Sequence, residues 1–398
     1  MPECVLLAVQ GDRLLRCPVR VPGTRVPWAS GARADPGPGG VSIRPAGGPP
    51  VALPHGAAVR LGGVSTSCVE AEPQPDGSPA VRLGPDLVAA SDVMVRVLHQ
   101  AICLAPLPDP VLLLGESGCG KDLLARALHA GGRGPDLPYV AVNLAALPID
   151  LVEAELFGWV RGAFTGAIDS RPGAFESAGG GTLFLDEVAE SPIAVQAKLL
   201  RAVESGAFAR LGAARQVEVR ARVVAATNRD PGRAVAQGAL RLDLLERLAC
   251  LVLRMPPLRA RPADVGPIAR RLCAAMPGSP VPDDAAIAAL RAYDWPGNVR
   301  ELRNVVRRAA VASPAGAIDA AAVREAIEAG RVVGRPGSSP GWWPEAATAQ
   351  PCAASGVREP ESPGRDWRPR EPRSARIAAS GLPRSTYYWR LKRGLVQG

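Results

Sequence analysis

Over the first 84 residues, apolar positions fall in short Val/Leu runs separated by Gly and Pro clusters such as "GARADPGPGG" and "RPAGGPP". Short runs bounded by turn residues predict strands, and no stretch there carries a helical period. Residues 1–84 are therefore expected to be a small all-β module or a partly disordered arm. From about Leu87 the pattern changes. Strand-like runs ("PVLLLGE", "TLFLDE", "ARVVAATN") alternate with segments of helical period ("KDLLARALHA", "QAKLLRAVESG"). That alternation predicts an α/β fold, a mainly parallel sheet with helices on both faces, over residues 85–257. Strands then cease: "ADVGPIARRLCAAM", "DDAAIAALRAY", "NVRELRNVVRRAA" and "AAAVREAIEAG" keep helical period alone. Residues 258–333 read as a separate helical lid. Residues 334–372, rich in Gly, Pro, Ser and charge, bury too little to fold alone and are expected to be a disordered linker. Helical period returns at residues 373–398.

Composition adds a compartment and a partner. The chain has 398 residues, 47% hydrophobic and 21% charged, an ordinary globular balance. No apolar run approaches the roughly 18 residues of a membrane span, and "MPECVLLAVQGD" lacks the basic flank of a signal peptide. A cytoplasmic protein without a membrane partner is expected. The eight cysteines, from Cys4 to Cys352, show no C-x-x-C pair and no nearby His cluster. Neither a disulfide framework nor a zinc site is expected from them, only reduced thiols. A net charge of +9 and a pI near 9.5 fit a nucleic-acid partner. The tail contributes Arg373, Arg376, Arg384, Arg390, Lys392 and Arg393 with no acidic residue.

The candidate chemistry concerns phosphate. "GESGCGK", comprising Gly115, Glu116, Ser117, Gly118, Cys119, Gly120 and Lys121, follows one predicted strand and opens a predicted helix. Glycines there let backbone N–H groups face phosphate oxygens, the helix N-terminus adds its dipole, and Lys121 reaches the β- and γ-phosphates. Asp122 stands where a Ser or Thr commonly touches Mg²⁺. "GGGTLFLDE" ends a buried strand in Asp186 and Glu187, the first placed to hold Mg²⁺ and the second to polarise an attacking water. Thr227 and Asn228 end a third strand and are candidate sensors of the γ-phosphate. ATP and Mg²⁺ are the cofactors these residues predict.

Together these motifs resemble the central AAA+ domain of sigma-54-dependent transcription activators, over about Leu87 to Val333. The resemblance implies a three-layer P-loop domain with a helical lid. It also implies that an acidic residue after the lysine is usual, whereas Cys119 replaces a Thr. "YVAVNLAALP" is similar to the segment whose Asn restrains the catalytic Glu, which implies that Asn143 pairs with Glu187. "RLDLLERLACLVLRMPPLRAR" resembles the arginine-finger segment, implying that Arg241 and Arg247 act on the nucleotide of a neighbouring subunit in a ring, a hexamer in this family. "WPGNVRELRNVV" resembles the lid motif, with Arg300 as sensor arginine. Read locally, Asn298 caps a helix whose Val299, Leu302 and Val306 form an apolar face.

The hexapeptide "GAFTGA" (Gly162, Ala163, Phe164, Thr165, Gly166, Ala167) lies between the phosphate loop and the acidic strand. By resemblance it grips sigma-54 in the RNA polymerase holoenzyme and is hinged at its glycines. The tail resembles a Fis-type helix-turn-helix, an all-α motif for double-stranded DNA. Arg384, Ser385, Thr386 and Arg390 would face bases or phosphates there, with Lys392 and Arg393 on the backbone. The helices that usually dimerise this motif are not evident. "LPHGAAVRLGGVSTSCVEAE" resembles the closing strands of a forkhead-associated domain, without its phosphothreonine-binding residues. The implied activity is ATP hydrolysis that remodels the closed sigma-54 polymerase complex. A generic AAA+ remodeller, and a DNA-binding regulator with a decayed ATPase, are the alternatives.

Overall fold

The computed structural model describes residues 4–332 apart from short segments at 11–12, 20–23, 28, 30–31, 38–39, 45–49, 62–63, 73, 75–79, 133–135 and 314–315. The linker and helix-turn-helix expectations, with Arg384, Ser385, Thr386, Arg390, Lys392 and Arg393, lie outside the described residues.

The apolar run at the N-terminus becomes the strand Cys4–Gln10, buried on both faces. Alternation along a strand sends successive side chains to opposite sides. Cys4 and Leu6 face Val41, Ile43 and Leu53 of a four-stranded antiparallel sheet, with Val26 just beyond its first strand. Val5 and Leu7 face Met94 and Leu98 of the helix Asp92–Leu104. The strand pairs antiparallel with Arg13–Val19 on one side and Val64–Glu72 on the other. The sheet continues through Ala80–Leu83 to Leu87–Ala89. Of the two expectations for the N-terminal region, the β module is what the described residues form, and its last strand runs past residue 84. Val5, Leu7, Val69 and Val81 share one continuous core with Val111, Leu113, Leu124 and Leu128 of the next unit.

That next unit is a five-stranded, all-parallel sheet in the order Tyr139–Asn143, Thr182–Asp186, Arg222–Thr227, Val111–Leu114, Leu251–Arg254. Its odd and even positions feed separate cores. Val111, Leu113, Phe184 and Val224 pack with helices Asp92–Leu104 and Lys121–Gly132. Leu112, Leu114, Leu185 and Ala225 pack with helices Ile193–Ser205 and Leu242–Leu248. Three layers result, as the strand and helix alternation predicts. In such sheets polar chemistry gathers at the carboxyl ends of the strands. Here those ends carry Asp186, Thr227 and, just past Leu114, Gly115.

The lid holds four helices, Val265–Ala274, Asp284–Arg291, Asn298–Ala312 and Ala320–Val332. They enclose a core around Trp295, whose indole N–H donates to the Leu290 carbonyl at 2.8 Å. Leu302 and Val306 point into that core as the sequence pattern predicts, and Val299 packs at its margin.

Candidate functional site

The phosphate loop connects the strand Val111–Leu114 to the helix Lys121–Gly132. Gly118 and Gly120 sit at φ 75° and 104°, conformations that cost a side-chain-bearing residue roughly 1 kcal/mol or more. At Gly118 a Cβ would also stand 2.6 Å from the Gly297 carbonyl oxygen. Lys121 is buried, and its ammonium donates to the Gly115 carbonyl at 2.9 Å and the Glu116 carbonyl at 3.3 Å. It also lies 3.7 Å from a Glu187 carboxylate oxygen. Asp122 is exposed in the first turn of the helix, where a negative charge complements the dipole.

Asp186 and Glu187 meet this loop from the end of the strand Thr182–Asp186, two places away in the sheet. Glu187 adopts left-handed backbone at φ 56°, ψ 50°, a strain of order 1–3 kcal/mol of the kind retained where side-chain placement matters. Its carboxylate accepts the Asn228 N–H at 2.9 Å. Burial pushes both carboxyls above their ordinary range, and the Lys121 ammonium opposes the shift at each. Thr227 is buried, and its hydroxyl accepts the Arg229 N–H at 3.2 Å. Asn143 departs from the expectation. Its Nδ2 is 3.4 Å from Asp186 Oδ2, while its Oδ1 accepts the N–H groups of Ala145 and Ala146 at 3.0 and 3.2 Å. Register explains the difference: Asn143 lies directly opposite Asp186 across the parallel ladder, and the turn it caps holds it away from Glu187.

The lid closes onto the loop through residues far away in sequence. Arg300 donates to the Ser117 hydroxyl at 2.8 Å, and the Val299 N–H donates to the Gly118 carbonyl at 3.0 Å. Arg259 makes a two-pronged pair with the Glu116 carboxylate at 2.6 and 2.8 Å. Asn298 is not a side-chain cap, which corrects the local reading. Its Oδ1 accepts the Leu258 N–H at 2.7 Å, and its Nδ2 donates to Glu116 and to the Ser117 carbonyl. Bridging two loops leaves that amide nothing to give the first helical turn. Arg261, buried, donates to the Cys119 carbonyl at 2.7 Å and lies 3.7 Å from the buried Asp264 carboxylate. Arg259, Arg261 and Asp264 carry no local motif, and only the fold brings them to the loop.

Arg241 and Arg247 lie away from this cluster. Arg241 precedes the helix Leu242–Leu248 and pairs with Asp243 at 2.7 and 3.0 Å, half-exposed, while Arg247 donates to the Val203 carbonyl at 3.3 Å. The hexapeptide protrudes elsewhere. Its base is a two-stranded ribbon, Gly158–Trp159 with Arg171–Pro172, next to a cluster in which Phe157 stacks on Phe175 and Phe208 tilts against both. Gly162 and Gly166 have φ 81° and 101°, and a Cβ on either would meet nothing within 4 Å. The turn is closed by Gly162 N–H to Ala167 O at 2.9 Å and Ala167 N–H to Phe164 O at 3.0 Å. Phe164 is 41% exposed and stands edge-on to Trp159, Thr165 is exposed, and Ile168 beside them is 74% exposed. Ala163 packs near Gly212 of the adjacent hairpin. The sequence singles out Phe164 but misses Ile168 and Trp159, which extend the apolar tip.

A parallel sheet with a phosphate loop, an acidic pair ending the strand two places away and a helical lid defines an AAA+ ATPase module. Residues 87–254 match the family model described as the sigma-54 interaction domain, and residues 259–339 match the AAA+ ATPase lid domain. The chain is 49% identical over 234 residues to the nitric oxide reductase transcription regulator NorR2 of Cupriavidus necator, covering 58% of this chain and 45% of that protein. It is 41% identical over 275 residues to the Nif-specific regulatory protein of Azospirillum lipoferum, covering 68% and 43% respectively. Among solved structures, NtrX from Brucella abortus in complex with ATP superposes with a TM-score of 0.55 at 33% identity, over 60% of this chain and 54% of that one. Over residues 87–339 the chain thus carries a sigma-54 interaction domain followed by an AAA+ lid domain. It spans about half the length of the curated relatives it matches. Among the described residues no helix is long and apolar enough to cross a membrane.

Proposed function

We propose that the protein is an ATP-driven transcription activator of the cytoplasm, which hydrolyses ATP to remodel the closed complex of sigma-54 RNA polymerase at DNA bound by its tail. One observation carries the reading. Lys121, Asp186 and Glu187 converge at the strand ends, while the same domain raises an apolar tip of Phe164, Thr165 and Ile168 on a ribbon that follows the helix Ile149–Phe157.

The donor set suits a Mg–nucleotide. Gly118 and Gly120 give the loop its left-handed turns, Lys121 is a buried cation held by two carbonyls that phosphate oxygens can replace, and Asp186 is a strand-end carboxylate for the metal. Mg²⁺, which Asp186 would hold, would supply charge neutralisation at the phosphates when bound. Glu187, restrained by the Asn228 N–H and by Lys121, orients the attacking water and accepts its proton. The elevation of its carboxyl by burial favours that proton transfer. Lys121 stabilises charge on the leaving side, and Arg300 couples the lid to the phosphates by exchanging its Ser117 contact. Arg241 and Arg247, on the surface of one protomer, supply positive charge to the site of the next in a closed ring, a hexamer in our reading.

The test is an ATPase assay run beside reconstituted transcription with sigma-54 polymerase. Hydrolysis coupled to open-complex formation is expected. Hydrolysis without it would favour a generic remodeller, and absence of both a decayed ATPase.

A further inference from the structure

The cysteines that carry no motif in the sequence are partly gathered by the fold. Cys4 and Cys68, fully buried on neighbouring antiparallel strands, point to the same face of the N-terminal sheet, with Leu6 opposite Cys68 and Cys4 opposite Glu70. His55 reaches them from the turn after the strand Val51–Pro54. Its Nε2 lies 3.2 Å from the Cys4 sulfur. That turn is fixed to the Cys68 backbone by Gly56 N–H to Cys68 O at 2.8 Å and Cys68 N–H to Ala57 O at 3.0 Å. The two sulfurs and the imidazole nitrogen all lie within 4.8 Å of one another.

We propose that Cys4, His55 and Cys68 form a binding site for a thiophilic d¹⁰ cation, Zn²⁺ or Cu⁺. Two thiolates and an imidazole are the donors that such ions select. Zn–S bonds of about 2.3 Å and Zn–N bonds of about 2.0–2.1 Å put tetrahedral donors roughly 3.5–3.8 Å apart. The observed spacing brackets that separation, so closure needs side-chain shifts of about 1 Å or less. Binding releases the two thiol protons to solvent. A second shell is present as well. The far nitrogen of His55, Nδ1, lies 4.0 Å from a Glu70 carboxylate oxygen, and Glu70 is itself paired with Arg82. A carboxylate behind a ligating imidazole fixes its tautomer and raises its basicity. His55, Glu70 and Arg82 line a cleft of about 410 Å³ whose far wall is Ala127, Ala130 and Gly131 of the phosphate-loop helix. The cleft gives an ion a way in and leaves room for the water that completes a four-coordinate Zn²⁺. Cu⁺ fits the three protein donors without it.

The test titrates the reduced, metal-free full chain with Zn²⁺ and, in a separate arm, with Cu⁺, each against a chromophoric competitor, and follows thermal unfolding in parallel. One ion per chain is expected in at least one arm, with a rise in unfolding temperature. His55→Ala, which changes a partly exposed turn residue, should weaken binding at least about tenfold and abolish the thermal shift. The Cys4→Ser/Cys68→Ser pair should abolish binding, and Glu70→Gln should weaken it by about 10–100-fold. The arm that responds identifies the ion. Failure of the reduced chain to take up either ion would overturn the site. So would uptake that His55→Ala and the double serine variant leave unchanged, or a Cys4–Cys68 disulfide whose reduction brings no metal binding.

Discussion

Replacing Asp264 by Ala should loosen the start of the lid from the Ala90–Ser91 segment it holds. The carboxylate is wholly buried and accepts the N–H groups of Ala90 and Ser91, both at 2.6 Å, and the Ser91 hydroxyl at 3.0 Å. Its Oδ2 faces the Arg261 guanidinium at 3.7 Å. At an effective dielectric of about 20, unit charges at that separation attract by roughly 4–5 kcal/mol. Burial nonetheless raises the Asp264 carboxyl, with Arg261 and the Ser91 and Ala90 bonds opposing the rise. Desolvation therefore outweighs the attraction, and the ionised pair is not a net source of stability. Removing only one partner is a different matter, because it strands a buried guanidinium whose Nε already has no hydrogen-bond partner. That class of change costs about 3–5 kcal/mol, or roughly a 10 °C fall in unfolding temperature for a domain of this size. The double variant Asp264→Leu/Arg261→Met, apolar and similar in volume, should recover most of the loss. Differential scanning calorimetry of the full chain reads both. A fall below about 2 °C in Asp264→Ala, or a double variant as unstable as the sum of the singles, would refute the buried-pair argument. Arg261 also holds the Cys119 carbonyl of the phosphate loop, so ATP turnover should fall in Asp264→Ala and stay low in the double variant, which removes that donor even where it restores stability.

Four further outcomes follow from the site geometry. Glu187→Gln should keep nucleotide binding while lowering kcat about 10²–10⁴-fold, and near-normal phosphate release would remove Glu187 from the role of base. Lys121→Ala and Arg241→Ala should each be inactive alone, yet a 1:1 mixture should regain roughly a quarter of wild-type turnover, because random assembly around a ring reunites intact Lys121 with an intact neighbouring Arg241 at that fraction of interfaces. No recovery in subunit-exchanged mixtures would place Arg241 outside catalysis in trans. Thr165→Ala should spare hydrolysis and abolish open-complex formation, and parallel loss of both would make the loop structural. Asn143→Ala, which removes two hydrogen bonds from an exposed turn and a long one to Asp186, should cost only about 1–2 kcal/mol of stability yet uncouple hydrolysis from remodelling, and tight coupling retained in this variant would exclude Asn143 from the link.

What the sequence discloses about this site is what lies within one element or one turn. "GESGCGK" is legible because strand, glycines and helix are contiguous, and Asp186–Glu187 because the acids end an unbroken apolar strand. Contacts across long separations are not legible in this way. Arg259 meets Glu116 across 143 residues and Arg300 meets Ser117 across 183, and no local spacing encodes either. Asn298 shows how a local rule misleads. A helix-start Asn reads as a cap, but a tertiary bridge between the lid and the phosphate loop takes both ends of its amide. The cysteines fail for the same reason. A C-x-x-C test looks along the chain, whereas Cys4, His55 and Cys68 are assembled across strands and a turn.

The path from the acidic pair to the apolar tip is built from short elements with little slack. Asp186 faces Asn143 across the ladder, and Asn143 closes the turn that leads to the helix Ile149–Phe157. That helix ends on Phe157, stacked with Phe175 and tilted against Phe208 before the ribbon begins. Close-packed aromatics move together or not at all, so a shift at the Asn143 turn passes to the ribbon as displacement instead of being absorbed. Slack returns only at Gly162 and Gly166, where nothing crowds the backbone. The stiff segment thus ends where Phe164, Thr165 and Ile168 meet solvent. On this path a change at Asp186 is expected to alter how the apolar side chains of the tip are presented, with the glycines setting how far they travel.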